Sequence, residues 1–277
     1  MKDVCAVLLA AGLGTRLMPL TAECPKALVP VGNVPLLDLG LERLAAAGFS
    51  GKAEVAVNAH HHFEMVVEHV GERAHLSIEE PEPLASAGAL GHLRDWIDGR
   101  AVLVLNADAY VLAPQGDLLR LLDGWDGERV RMLGRREDDG HPPFGGLSFA
   151  GASLIPAPDV AALKAEYAHL VLAVWRPAER AGRLDAIELD GRYIDCGTPA
   201  DYLAAKMLAA DGANVIDPTA VVRGRVSGSV VGARARVAGQ VSRSVLWPGA
   251  SVGEGERLEQ VIRTASGLTV EAQNEGG

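Results

Sequence analysis

From Ile216 onward the chain repeats itself every fifteen residues, and so short a period leaves few folds open. The first copy runs Ile216–Val230 and the second Val231–Val245, while a third starts at Leu246 and decays after Gly255. Aliphatic residues recur at Ile216, Val231 and Leu246 and again at Val222, Val237 and Val252, and alanine sits five places into each copy at Ala220, Ala235 and Ala250. One coil of this length cannot bury its own apolar face. Stacked coils can, so the pattern predicts a solenoid with a shared core. The boundary falls after Gly212, giving a domain over residues 1–212 and a repeat domain over 213–277.

The front part has a different grammar. Val4–Leu9 is a continuous apolar run of strand length, and further strands read over Ala53–Val57, Ala74–Ile78 and Ala101–Asn106, alternating with helical patterns over Pro35–Ala47, His62–Val70, Ser86–Ile97 and Asp117–Trp125. Strands without polar alternation are covered on both faces, and strand–helix alternation implies right-handed crossovers, so the expectation is an α/β doubly wound sheet. Such sheets bind ligands beyond the carboxyl ends of their strands. The formal net charge is −10, and 213–277 holds seven arginines against six acids, so residues 1–212 carry −11. With no basic tract, nucleic acid is excluded as a partner. The longest apolar run, Val4–Ala11, is far short of the ~20 residues of a membrane span and runs into a glycine loop, so neither a membrane segment nor a leader peptide is expected from it. Cys5, Cys24 and Cys196 are odd in number and lack metal-ligand spacing, pointing to a reducing, cytoplasmic setting.

The chemistry concentrates where the first strand ends, in Leu8-Leu9-Ala10-Ala11-Gly12-Leu13-Gly14-Thr15-Arg16-Leu17, followed by Pro25-Lys26. Small residues leave backbone N–H groups bare, a cradle for phosphate oxygens. Arg16 adds a planar fork and Lys26 a movable point charge. A dinucleotide fingerprint is ruled out because Leu17 stands where its third glycine belongs, and no Gly-Lys-Ser/Thr follows to make a Walker loop. Residues 4–38 resemble the signature of the sugar-1-phosphate nucleotidylyltransferases, and the repeat domain resembles the left-handed parallel β-helix that many of them carry. The resemblance implies a Rossmann-like mixed sheet followed by that β-helix, self-association through the coils, and Mg²⁺-dependent joining of a nucleoside triphosphate to a sugar 1-phosphate with release of pyrophosphate. It also implies that Ala10, Ala11, Gly12, Gly14 and Thr15 hold the nucleotide, that Arg16 stabilises departing pyrophosphate, and that Lys26 bridges the α-phosphate and the sugar phosphate.

A magnesium site needs carboxylates with room for water and phosphate oxygens. Asp108 lies just past Ala101–Asn106, and Asp195 stands in Asp-Cys-Gly-Thr-Pro, which resembles the family's second metal-ligand motif. The same resemblance implies that Glu79–Gly88 lies where the family reads the base, with Glu80 offering a carboxylate to guanine's two adjacent donors, Ser86 a hydroxyl, and Gly88 room for the ring. The plain alternative is a solvated charge run at Glu79, Glu80 and Glu82. The stretch resembles that of mannose-1-phosphate guanylyltransferases, which favours GTP and mannose 1-phosphate, whereas Leu9-Ala10-Ala11-Gly12 resembles uridylyl and thymidylyl members. The family's Glu-Lys-Pro is missing between Arg135 and Asp195, so Gly145 and Gly146 are expected against the sugar, with Arg176 or Arg183 replacing the absent lysine. A catalytically silent regulator would have lost Arg16, Lys26, Asp108 or Asp195, and a repeat-domain acyltransferase needs a histidine in its coils, yet the last is His169. His60-His61-His62 reads as loop histidines rather than a metal cluster.

Overall fold

The computed structural model describes residues 3–136, 140 and 143–272. They form two compact units that do not follow the linear order of the chain. The first comprises residues 1–13, 37–107 and 111–193; the second takes in 14–36, 108–110 and 194–277. Among the described residues no helix is long and apolar enough to cross a membrane.

In the first unit a seven-stranded sheet runs, edge to edge, Leu184–Glu188, Val130–Arg135, Ser148–Ile155, Ala101–Asn106, Val4–Leu9, Val55–Ala59 and His75–Ile78. Every pairing is parallel except those made by Ser148–Ile155, which is antiparallel to both neighbours, so the sheet is mixed. The interior strand Val4–Leu9 is flanked on both sides by parallel partners, and Cys5 through Leu8 are fully buried. That two-sided burial is why its sequence is uninterruptedly apolar. Helix Leu36–Ala46 lies close against this strand: a Cβ on Gly40 would come within 2.8 Å of the Leu8 side chain. Leu9, Asn58 and Asn106 stand side by side in register, so three strands finish at one edge.

In the second unit the repeat forms a parallel β-helix with three faces. Val215 pairs with Val230 and that with Val245; Val222 pairs with Val237 and that with Val252; Val226 pairs with Val241. The repeat does not stop where its sequence pattern fades. Gln240 pairs with Arg257 and Val245 with Ile262, so the next coil is longer by two residues and keeps the stack before Val261–Arg263 folds back against Thr269–Glu271. Ser229 and Ser244 are fully buried and make a column: each hydroxyl donates to a carbonyl two residues back, and Ser229 Oγ accepts from the Ser244 amide. Small residues at the corners let coils touch, because a Cβ on Gly239 would lie 2.3 Å from the Glu256 carbonyl oxygen. A methyl group there must displace backbone, so Gly239→Ala is expected to lower the unfolding free energy by about 1–3 kcal/mol in urea melts.

Candidate active site

Arg16, Lys26, Asp108 and Asp195 gather in the second unit. Lys26 opens a short 3₁₀ turn, Lys26–Leu28, closed by the Leu28 amide donating to the Pro25 carbonyl. Gly14, at φ +63°, holds the glycine-loop side of this cluster; a Cβ there would strike Thr21 at 2.7 Å and crowd Lys26. The Thr21 hydroxyl donates to the Gly14 carbonyl, fixing the turn. Asp195 ends strand Arg192–Asp195, and the next amide, of Cys196, donates to the Asp108 carbonyl, which brings two distant carboxylates together. Thr198 then caps helix Pro199–Ala210 by accepting from the Asp201 amide.

The Lys26 ammonium donates to Asp108 Oδ2 at 2.7 Å and to Asp195 Oδ1 at 2.9 Å. Arg16 donates to the other oxygen of Asp195 at 3.1 Å, its guanidinium lying where a Cβ on Gly197 would be. The lysine is buried, whereas both carboxylates remain over a third exposed and Arg16 is 67% exposed. Burial alone would raise the Asp195 carboxyl, but the charge and hydrogen bond of Lys26, with Arg16 behind, hold it below the usual carboxylate range. Burial would likewise lower Lys26, and the two carboxylates outweigh it, so its ammonium is held above the ordinary value. Two oxygen-rich, half-open carboxylates sharing one cation suit a hard divalent ion that takes its other ligands from water and phosphate. Among the described residues no group of three or more His, Cys, Asp or Glu is arranged to hold a metal.

The loop that supports these side chains is braced within the same unit. The Tyr202 hydroxyl donates to the Pro30 carbonyl and accepts from Trp247 Nε1; Asn33 donates to the Val231 carbonyl; and Glu23 accepts from Thr264 and Ser266. Beside Tyr202, Lys206 is fully buried and its Nζ has no hydrogen-bond partner among the described residues, lying 5.6 Å from the Tyr202 ring centre.

The first unit gives the other expected site residues varied fates. Ala10 and Ala11 are nearly buried, while Gly12 is exposed with open space where a Cβ would be. Glu80 is exposed and Glu79 is not: both Glu79 oxygens are engaged inside the unit. Its signal in the sequence was position, immediately after an apolar strand. Gly88 does not offer space to a ring, because its Cβ position lies 2.2 Å from the Glu166 carbonyl oxygen; Ser86 Oγ accepts from the Leu170 amide. The smallness of Gly88 serves packing against that segment. Gly145 and Gly146 both have positive φ and form the two-residue turn of a hairpin closed by Phe144 and Leu147, with open space at Gly146. Arg176 is paired with Glu179 and stacks over Phe144. Arg183 is bound through both terminal nitrogens to Asp159 and precedes strand Leu184–Glu188. That strand is parallel to Val130–Arg135, so Arg183 stands at the sheet edge opposite the carboxyl ends, and the expectation that it meets a sugar phosphate there is corrected.

A family model described as nucleotidyl transferase matches residues 5–149. N-acetylmuramate α-1-phosphate uridylyltransferase of Caulobacter vibrioides is 27% identical over 237 residues, covering 74% of this chain and 97% of that protein. Mannose-1-phosphate guanyltransferase of Schizosaccharomyces pombe is 27% identical over 234 residues, covering 73% and 63% respectively. A crystal structure assigned to a glucose-1-phosphate thymidylyltransferase of Bacillus anthracis, in complex with a sucrose, superposes with a TM-score of 0.65 at 19% identity over 75% of this chain and 96% of that one. At that identity the likeness is one of fold.

Burial lowers Lys206 from 10.5 to about 7, so between those values the unfolded chain binds more protons and stability rises with pH. Below about pH 7 both states are protonated and the full cost of burying the ammonium is present. Lys206→Met is therefore expected to add about 1–3 kcal/mol at pH 7 and to flatten the rise toward pH 10, as read by urea unfolding across pH.

Proposed function

Since this chain belongs to the nucleotidyl transferase family, we propose that it joins a nucleoside triphosphate to a sugar 1-phosphate, forming a nucleotide sugar and pyrophosphate, with GTP and mannose 1-phosphate as the favoured pair. The observation that carries this reading is the sharing of one buried ammonium by Asp108 and Asp195, with Arg16 alongside. A sugar phosphate oxygen is already an anionic nucleophile, so no general base is needed. It forms a bond to the α-phosphorus while the bond from that phosphorus to the bridging oxygen breaks and its electron pair leaves with pyrophosphate. Lys26 holds charge against the α-phosphate and the incoming phosphate, and Arg16, exposed and planar, meets the pyrophosphate as its charge grows. Ala10, Ala11, Gly12, Gly14 and Thr15 receive the triphosphate. Asp108 and Asp195 would hold a Mg²⁺ ion, which neutralises phosphate charge when bound.

Glu80 is the exposed carboxylate available to guanine. A second reading, uridylyl transfer, draws on the muramate-type relative, of which this chain covers 97%, and on the full internal use of Glu79, which leaves one fewer carboxylate for guanine's donors. For self-association we propose the first coil, where Ile216 is 41% and Val222 37% exposed although their counterparts one coil on, Val231 and Val237, are buried.

Pyrophosphate release measured with four nucleoside triphosphates against a panel of sugar 1-phosphates is expected to be fastest with GTP and mannose 1-phosphate. Preference for UTP selects the second reading, and silence with every pair marks a binding homologue. Asp108→Asn and Asp195→Asn are each expected to lower kcat by about a thousandfold or more with the circular dichroism unchanged; undiminished turnover by both overturns the assignment. Val222→Asp is expected to shift gel-filtration elution to a smaller species, and an unchanged elution removes the first coil as the interface.

A further inference from the structure

Three neighbouring strands of the first unit end together, and their last residues are joined by a buried chain of hydrogen bonds. Leu9 is in register with Asn58, and Asn58 with Ser77, two residues before Glu79. The Ala10 amide donates to Asn58 Oδ1 at 2.7 Å; Asn58 Nδ2 donates to Glu79 Oε1 at 2.6 Å; the Leu84 amide donates to Glu79 Oε2 at 2.7 Å. Asn58 is 2% exposed and Glu79 is fully buried. The Glu79 backbone is held as well, its amide donating to Ala59 and its carbonyl lying 2.8 Å from His60 Nδ1.

Every donor in this chain meets an acceptor, and the direction is fixed: amide to Asn58, Asn58 to Glu79, and a second amide to Glu79. A buried carboxylate is costly unless satisfied, so the arrangement is selective for a glutamate at position 79 and an asparagine at position 58. What it connects is specific. One end is the residue that begins the glycine loop, and the other is the loop leading into helix Ala85–His92. We propose that Asn58 and Glu79 are positioning residues for nucleotide binding, setting the first residue of the phosphate loop and the 79–84 loop at a fixed spacing so that triphosphate and base are held in register. This rests on the nucleotidylyl reading above and deepens it. Neither residue touches the reacting atoms; both act through Ala10 and Leu84.

The test exploits polarity. Glu79→Gln sets its side-chain N–H against either Asn58 Nδ2 or the Leu84 amide, and Asn58→Asp sets two carboxylates face to face. Together the two substitutions restore the chain. The carboxylate introduced at position 58 accepts from the Ala10 amide and from the side-chain N–H introduced at position 79, whose oxygen still accepts from Leu84. With the triphosphate that the wild-type protein turns over fastest, each single variant is expected to raise KM for the triphosphate about tenfold while KM for the sugar 1-phosphate changes less than about twofold. The double variant is expected to return within about threefold of wild type. A general loss of packing would move both KM values and kcat together and would not be rescued. Unaltered single variants, or a double variant as impaired as the singles or unfolded, overturns the proposal. Absence of turnover by the wild-type protein overturns the nucleotidylyl reading and this proposal with it.

Discussion

Two ionised carboxylates from distant parts of the chain repel each other when held side by side, and the Lys26 ammonium lies between them as the compensating cation. At short range in a half-buried setting, like charges repel by several kcal/mol, and the same low dielectric makes a shared ammonium correspondingly favourable. Asp108 arrives just after a buried strand, Asp195 at the end of a short one, and the Cys196 amide ties their backbones together. The turn that presents Lys26, the positive φ of Gly14 and the space left by Gly197 for Arg16 all serve that one contact.

Much of this was legible in the residues. The continuous apolar run Val4–Leu9 marked a strand covered on both faces, and Ala101–Asn106 came out with its own bounds. Ser148–Ile155 was missed: its serines, alanines and glycine carry little strand signal, and only pairing with two antiparallel neighbours defines it. The repeat was visible as a period but seemed to end early, since two extra residues in the third coil broke the spacing without breaking the stack.

Around the site, legibility followed whether a residue's role depends on local chain or on distant partners. Arg16, Lys26, Asp108 and Asp195 stand in motifs whose spacing reflects their turns. Glu79 looked like one member of a charged run with Glu80 and Glu82, and only the approach of Asn58, 21 residues earlier, makes it an interior group. Arg183 was expected to meet a sugar phosphate because it is basic and nearby in sequence; which end of a strand it occupies is set by sheet topology, and Asp159 already holds it there. Gly88 shows the same dependence, its smallness answering to the Glu166 backbone.

The coils are joined to the loop bearing Arg16 and Lys26 by Asn33, Glu23 and the Tyr202–Trp247 pair. The regular structure of that loop itself is three single 3₁₀ turns and one two-residue strand pair, whereas a stack of ladders with a filled interior is among the least compliant supports a chain can build. The solenoid is thus a buttress for the loop that bears Arg16 and Lys26, and shortening it would slacken the turn that presents Lys26 to the two carboxylates.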